Sequence, residues 1–476
     1  MVALAFSDTA RREVVPFEPI DPDNVRMYVC GPTVYDEAHI GNARPVVVFD
    51  VLFRLLRSVY GAGHVTYARN ITDIDDKIIQ RAAENNEPIG ALTARVTEGY
   101  LDNMRALGCL DPTIQPRATE HIPQMIAMIE RLIAGGHAYA AEGHVLFAVR
   151  SFAEYGALSG RSIDEQVAGA RVEVAPYKRD PADFVLWKPS TDDQPGWDSP
   201  WGRGRPGWHL ECSAMSAEHL GETFDIHGGG LDLIFPHHEN EIAQTCCSFG
   251  EGKPGFRMAR HWMHNGFLTV AGAKMSKSEG NFTTVTDLRK KWHGEVIRLA
   301  LMLTHYTAPL DLTEERLQEA KALLDKWHRA WQSRKDQVGP KNAQYIEKVQ
   351  EFLGDDLNTK RAIMQLVDAS SFENINYLFW SAKLLGFFGS QSPDAWFKWS
   401  PTRVDVVLGV EGLSISAEVG SVTVGYSDET IGKLIEARVS ARRDRNFAEA
   451  DRIRDELLSQ GIILEDGPGG TTWRRA

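Results

Sequence analysis

The stretch Val25-Arg26-Met27-Tyr28-Val29-Cys30-Gly31-Pro32-Thr33, with His39-Ile40-Gly41-Asn42 and the apolar run of residues 46–60 after it, decides the fold. Residues 25–30 favour extended backbone, and Gly31-Pro32-Thr33 closes them with a turn. In residues 46–60 apolar side chains recur at helical spacing, with Arg54 and Arg57 off that face. A second extended segment, residues 64–71, leads into Asp75-Asp76 and another helical stretch. Strand, helix, strand in this order is the start of a parallel α/β sheet.

Further along, residues 111–200 are richer in turns and charge, as in Tyr155-Gly156-Ala157-Leu158-Ser159-Gly160, and read as an insertion. The α/β pattern returns at Phe224-Asp225-Ile226-His227 and ends in Gly228-Gly229-Gly230. Amphipathic helices are expected over residues 313–385, an irregular stretch over 386–427, and a short helical tail over 427–460 before the segment carrying Trp473.

A chain of 476 residues exceeds one ordinary core, so two to four domains are expected. No apolar run approaches the roughly 18 residues of a membrane span, and the first ten residues carry no export signal. The expectation is a cytoplasmic protein without a membrane contact. A net charge of −13 speaks against a large basic surface but allows a local one. The five cysteines are an odd number, which favours metal binding or free thiols over a disulfide framework.

Three groups of residues carry chemistry. His39-Ile40-Gly41-Asn42 stands at a strand–turn–helix junction, where unpaired N–H groups and the helix dipole suit phosphate. Lys274-Met275-Ser276-Lys277-Ser278, flanked by Gly272 and Gly280, offers two cations to developing phosphate charge. Cys30, Cys212, His237 and Glu241 are all zinc-ligand types, and His237 and Glu241, four apart after Pro236, would share one face of a helix starting there. Taken singly, each has a bland reading: a helix-start turn, a solvated basic loop, a buried cysteine. The spacing of the metal candidates matches no zinc-finger pattern.

The strings Cys30-Gly31-Pro32-Thr33-Val34-Tyr35-Asp36, Asn70-Ile71-Thr72-Asp73-Ile74-Asp75-Asp76-Lys77, Gly207-Trp208-His209-Leu210-Glu211-Cys212-Ser213 and Phe235-Pro236-His237-His238-Glu239-Asn240-Glu241 resemble the cysteinyl-tRNA synthetases, which are class I aminoacyl-tRNA synthetases. So do the glycine run at 228–230 with Asp232, the lysine loop, and the tail from Leu464 to Trp473.

The resemblance implies an α/β fold: a class I Rossmann-like catalytic domain with an insertion, then a helical bundle and a small C-terminal domain. It places the halves of the catalytic domain at residues 1–110 and 201–312, the second carrying the lysine loop. The connective insertion, on the acceptor-end side, spans 111–200, the helical bundle and linker 313–426, and the anticodon-binding module 427–476.

It further implies one Zn2+ per chain on Cys30, Cys212, His237 and Glu241. ATP, as a Mg2+ complex, would meet His39, Gly41, Asn42, Gly229, Gly230, Asp232 and Lys277, with His39, Lys274 and Lys277 catalytic. Cysteine would contact Thr72, Trp208 and His227, and the anticodon of tRNA(Cys) would contact Asp466 and Trp473. The implied protein is a monomer. Asn42 departs from the family's usual histidine and can never carry positive charge, so a modest change in rate is expected.

Cysteine and serine differ by one atom, and shape alone separates such pairs by about 1–3 kcal/mol. Zinc prefers the soft thiolate, so no editing domain is required. The four donors already fill a tetrahedron, so Glu241, the hardest of them, is expected to loosen when cysteine binds. The nearest alternative is a mycothiol-pathway ligase that joins cysteine to an amino-sugar. The arginines Arg438, Arg442, Arg443, Arg445, Arg452 and Arg454 could face the anticodon stem, although Asp444, Glu449, Asp451, Asp455 and Glu456 interleave with them. Cys109, Cys246 and Cys247 have no assigned role, and the last two are expected to pack in a helix.

Overall fold

The structure, a computed structural model, describes residues 2–475 apart from 166–174, 271, 275–282, 369–373, 390–392, 400–403, 407–412, 419–420, 427, 444–445, 460–461 and 468–469. The chain divides into two compact units, Met1–Lys398 and Trp399–Ala476.

The first unit is organised by a parallel sheet of four strands: β1 (Val25–Val29), β2 (Val65–Arg69), β3 (Phe224–Gly230) and β4 (Ala259–Asn265). Their order across the sheet is β4-β3-β1-β2. Helix α1 (Ile40–Tyr60) crosses from β1 to β2, α2 (Trp208–Leu220) precedes β3, and α3 (Glu239–Phe249) carries the chain from β3 to β4. The strand–helix–strand reading of residues 25–71 is therefore borne out, the helix starting at Ile40. From β1 the chain steps one way to β2, whereas β3 pairs on the other side of β1. The connections leaving the carboxyl ends of β1 and β3 diverge there and open a crevice, the usual ligand position in such sheets.

Packing fixes that arrangement. Helix α1 buries Val46, Val47, Phe49, Leu52, Leu55 and Leu56. A Cβ on Gly228 would stand 2.4 Å from the Phe49 ring, so only glycine lets α1 lie this close to β3. Arg54 is half-buried rather than fully solvated: it donates to the Asp50 carboxylate at 2.8 Å and to the Gly108 carbonyl at 2.7 Å. Asp50 is shared with Arg298 of the helix Gly294–Met302, whose guanidinium also holds the Leu107 and Leu385 carbonyls. One buried carboxylate thus joins α1 to the helical region that follows the sheet.

Between β2 and α2 lie the helices Asp76–Asn85, Ile89–Ala106 and Ile122–Ala134. They are followed by a four-stranded antiparallel sheet of Ala138–Ala141, His144–Phe147, Phe184–Pro189 and Gly204–Pro206. Its core, including Met125, Ile129, Phe147, Leu186 and Trp187, is continuous with the inner face of α2 at Leu210 and Cys212. Beyond β4 come the helices Glu314–Ser333, Glu347–Gly354, Thr359–Asp368 and Ile375–Leu384, packed on the main core through Leu324, Trp327 and Leu378.

The second unit holds an antiparallel sheet of Val404–Val406, Leu413–Glu418 and Ser421–Tyr426, the helices Asp428–Arg443 and Phe447–Ser459, and a hairpin of Ile462–Gly467 with Gly470–Arg475. Ile431, Ile453, Leu457 and Ile462 form its core. The sheet corrects the reading of residues 386–427 as irregular. Leu413, Ile415 and Ala417 alternate with Ser414, Ser416 and Glu418, a period-two pattern that marks a strand. Among the described residues no helix is long and apolar enough to cross a membrane.

Candidate active site

The crevice is built from the ends of the strands. Cys30 is the first residue past β1, and its N–H donates to the Gly228 carbonyl of β3 at 3.2 Å, which holds its sulfur at the split. Cys212 comes from the second turn of α2 and Glu241 from the first turn of α3. His237 does not begin a helix at Pro236, as the sequence suggested. The Phe235–Pro236 peptide is cis, the segment Ile234–His238 forms a wide turn, and α3 starts at Glu239. His237 and Glu241 still meet, Nε2 to Oε1 at 3.0 Å.

The four donors converge: Cys30 Sγ lies 3.8 Å from Cys212 Sγ, 3.4 Å from His237 Nε2 and 3.5 Å from Glu241 Oε1. Cys212, His237 and Glu241 are buried. A second group with metal-holding geometry shares Cys30 and Glu241 and substitutes His227 and His238. Burial alone would raise the Glu241 carboxyl, but His227 and His237 outweigh it and hold the pKa well below the usual carboxylate range. Burial pushes the Cys30 thiol well up, while the hydrogen bond from Cys30 brings Cys212 down to about 6. Burial works against a charged His237, yet Glu241 raises its pKa to about 10. Two sulfurs, an imidazole and a carboxylate with anionic charge out of water are a donor set that fits Zn2+.

Three histidines missed by the sequence reading stand behind these donors. His209 Nδ1 is 2.8 Å from His237 Nδ1. His238 Nδ1 is 2.7 Å from His264 Nε2, whose ring in turn meets the Thr9 hydroxyl at 2.7 Å. Burial and the neighbouring His237 pull His209 down to about 3, so it stays neutral and can orient the His237 ring. Trp208 stacks on His237 with ring centres 4.1 Å apart, and Trp262 stacks on His227 at 4.4 Å. Their signal in the sequence was only adjacency, His209 beside Trp208 and His238 beside His237; His264 had none.

A cavity of about 450 Å³ adjoins the cluster, lined among others by Cys30, His39, Gly41, Asn42, Trp208, Gly230 and Asp232. His39 caps α1, and the Asn42 side-chain oxygen accepts its N–H at 3.1 Å, so the start of this helix borders the cavity. Gly229, also expected at the ATP site, does not line it; a Cβ there would come within 2.8 Å of the His238 ring. Of the three expected cysteine contacts only Trp208 lines the cavity. The Thr72 hydroxyl donates to Glu211 at 2.8 Å and His227 meets Glu241 at 2.8 Å, both buried behind the wall.

The described residues on either side of the second signature lie next to elements of this cavity. Lys274 belongs to the short strand Ala273–Lys274, paired with Leu268–Val270, and Leu268 is part of the cavity wall. The chain returns at Thr283, whose carbonyl accepts the Ile40 N–H at 3.0 Å, beside His39. Lys277 lies outside the described residues. Asp466 and Trp473 sit on the two strands of the C-terminal hairpin, opposite Thr471 and Leu464. Cys246 and Cys247 are in α3 as expected, and Cys109 contacts Arg298 at 3.6 Å.

The family described as tRNA synthetases class I (C) catalytic domain matches residues 16–322, and that described as the cysteinyl-tRNA ligase anticodon binding domain matches 427–474. A cysteine–tRNA ligase of Paramagnetospirillum magneticum is 55% identical over 484 aligned positions, covering 99% of both chains. The chain belongs to the cysteine–tRNA ligases. Another cysteine–tRNA ligase, from Rhodospirillum rubrum, is 53% identical over the full length of both proteins. Solved structures share the class I fold at much lower identity. Mycobacterium tuberculosis methionyl-tRNA synthetase in complex with methionyl-adenylate gives a TM-score of 0.55 at 16% identity, covering 79% of this chain and 87% of that one. The LeuRS of Agrobacterium radiobacter gives 0.56 at 12% identity, covering 80% and 86%.

Proposed function

We propose that this ligase activates L-cysteine with ATP to cysteinyl-adenylate and transfers it to the 3′ end of tRNA(Cys), working as a cytoplasmic monomer. The observation that carries this reading is one cavity lined both by Cys30 of the four-donor cluster and by His39, Gly41 and Asn42 at the start of α1. A phosphate and a thiol can be held side by side there.

Each part of the chain has a task in that reaction. The α1 N-terminus and His39 receive the phosphates, Gly230 and Asp232 border the adenosine, and Lys274 and Lys277 meet the charge that develops as the carboxylate of cysteine displaces pyrophosphate. Little covalent chemistry falls to the protein; most of the rate comes from positioning. Cys30, Cys212, His237 and Glu241 would hold Zn2+, and His209 would fix the imidazole ring. Bound zinc supplies a soft centre that takes a thiolate in preference to a hydroxyl, which is the basis of discrimination against serine. The module at 427–476 would hold the anticodon through Asp466 and Trp473, and the insertion at 111–200 the acceptor end.

The test is incorporation of labelled cysteine into tRNA, with zinc content measured on the same preparations. Wild type should charge tRNA(Cys) and carry one zinc per chain, and Cys212→Ala should lose both. Cysteine-dependent pyrophosphate exchange without charging would move the acceptor to an amino-sugar. Absence of both reactions would end the assignment.

A further inference from the structure

Arg44 lies on α1 two residues past Asn42, on the face that carries Ile40, Val47 and Val51. It is the one charged side chain among those four and is completely buried. One guanidinium nitrogen donates to the Gly266 and Phe267 carbonyls at 2.7 and 2.6 Å. The other reaches the Ala308 carbonyl at 2.6 Å, with the His305 and Tyr306 carbonyls at 3.4 and 3.3 Å. Among the described residues no carboxylate pairs with it; burial, and after it the charge of Arg316, pull the Arg44 pKa down to about 10. A buried cation balanced only by carbonyl dipoles is costly, and apolar residues at buried ionic positions are often at least as stable. Stability alone is therefore a poor reason for an arginine here.

The carbonyls it holds explain it better. Gly266, Phe267 and Leu268 line the cavity and run directly into Leu268–Val270, the strand that pairs with Ala273–Lys274 and, on its other side, with Leu310–Leu312. The same guanidinium grips His305–Ala308, the segment just before Leu310–Leu312. From the far side, a Cβ on Gly266 would come within 2.6 Å of the Thr307 and Ala308 carbonyls, so these two segments have no slack between them. Arg44 thus connects the helix start bearing His39, Gly41 and Asn42 to the root of the lysine hairpin.

We infer that Arg44 is a positioning residue for adenylate formation: it fixes the root of the lysine hairpin at a set distance from the helix start that receives the phosphates. This rests on reading the cavity as the ATP site. The test is pyrophosphate exchange by wild type, Arg44→Lys, Gly266→Ala, Lys277→Met and the Arg44→Lys/Lys277→Met double variant, with zinc content and melting temperature recorded for each. Arg44→Lys and, from the other side of the same segment, Gly266→Ala should lower kcat/KM for ATP about 10²-fold, the scale of an ångström's misplacement. KM for cysteine and zinc content should stay within about twofold of wild type, and the double variant within about twofold of Lys277→Met alone, the scatter of independent effects. Losses that multiply in the double variant, parallel rises in both KM values, or misfolding of both Arg44→Lys and Gly266→Ala would overturn the inference and leave the ATP-site reading standing. No exchange by well-folded wild type would overturn both.

Discussion

Asn42 shows how a departure from a family pattern is absorbed by a single side chain. Its oxygen closes the first turn of α1 by accepting the His39 N–H, a task that needs no charge. Asn42→His is therefore expected to change the exchange rate by less than about tenfold, or about 1.4 kcal/mol in the barrier; steady-state kinetics in ATP checks it. His209 is expected to matter more. Removing the partner of His237 Nδ1 in His209→Ala should weaken zinc retention by about 10–100-fold, read by competition with a chelator. Cys30, Cys212, His237 and Glu241 were legible in the sequence by resemblance. His238, His264 and Arg44 were not, because distant segments bring them together and a single sequence records only neighbours along the chain.

Helix α1 links the site to the rest of its unit through Asp50, which sits between Arg54 and Arg298. Burial raises the Asp50 carboxyl, but the two guanidiniums more than compensate and its pKa is lowered. An unfolded aspartate titrates near pH 3.9, so the contribution of Asp50 is complete above that value and is lost as pH falls through the lower, folded pKa. Asp50→Asn leaves Arg298 buried without a counter-charge and should cost about 3–5 kcal/mol at pH 7. Urea unfolding at pH 7 and pH 3 should show that difference shrinking in acid; a constant difference would mean the carboxylate charge is not what is lost. Elements with a long helical period, α1 above all, were legible from residues 46–60. The strands Ala138–Ala141, His144–Phe147 and Gly204–Pro206 were not, since three or four residues are too few to establish a period, and their pairing partners lie up to several dozen positions away.

At the scale of the whole molecule, the two units carry separate cores, Ile431, Ile453, Leu457 and Ile462 serving the second. A chain ended after Lys398 should keep cysteine-dependent exchange close to wild type while tRNA charging falls at least about tenfold, since about 1.4 kcal/mol of lost tRNA binding gives that much; paired assays on one preparation check it. The order of α/β and helical regions was readable from periodicity, whereas the sheet at 404–426 was passed over because its alternation is brief and rich in glycine and serine. The four-donor cluster takes Cys30 from one half of the sheet and Cys212, His237 and Glu241 from the other, some 180 residues later. During synthesis, then, the early half leaves the ribosome with one of the four donors, Cys30, and none of its three partners. The remaining donors arrive only when the late half emerges and threads β3 in beside β1. A zinc ion held by these four residues would then mark a catalytic domain whose two halves have come together.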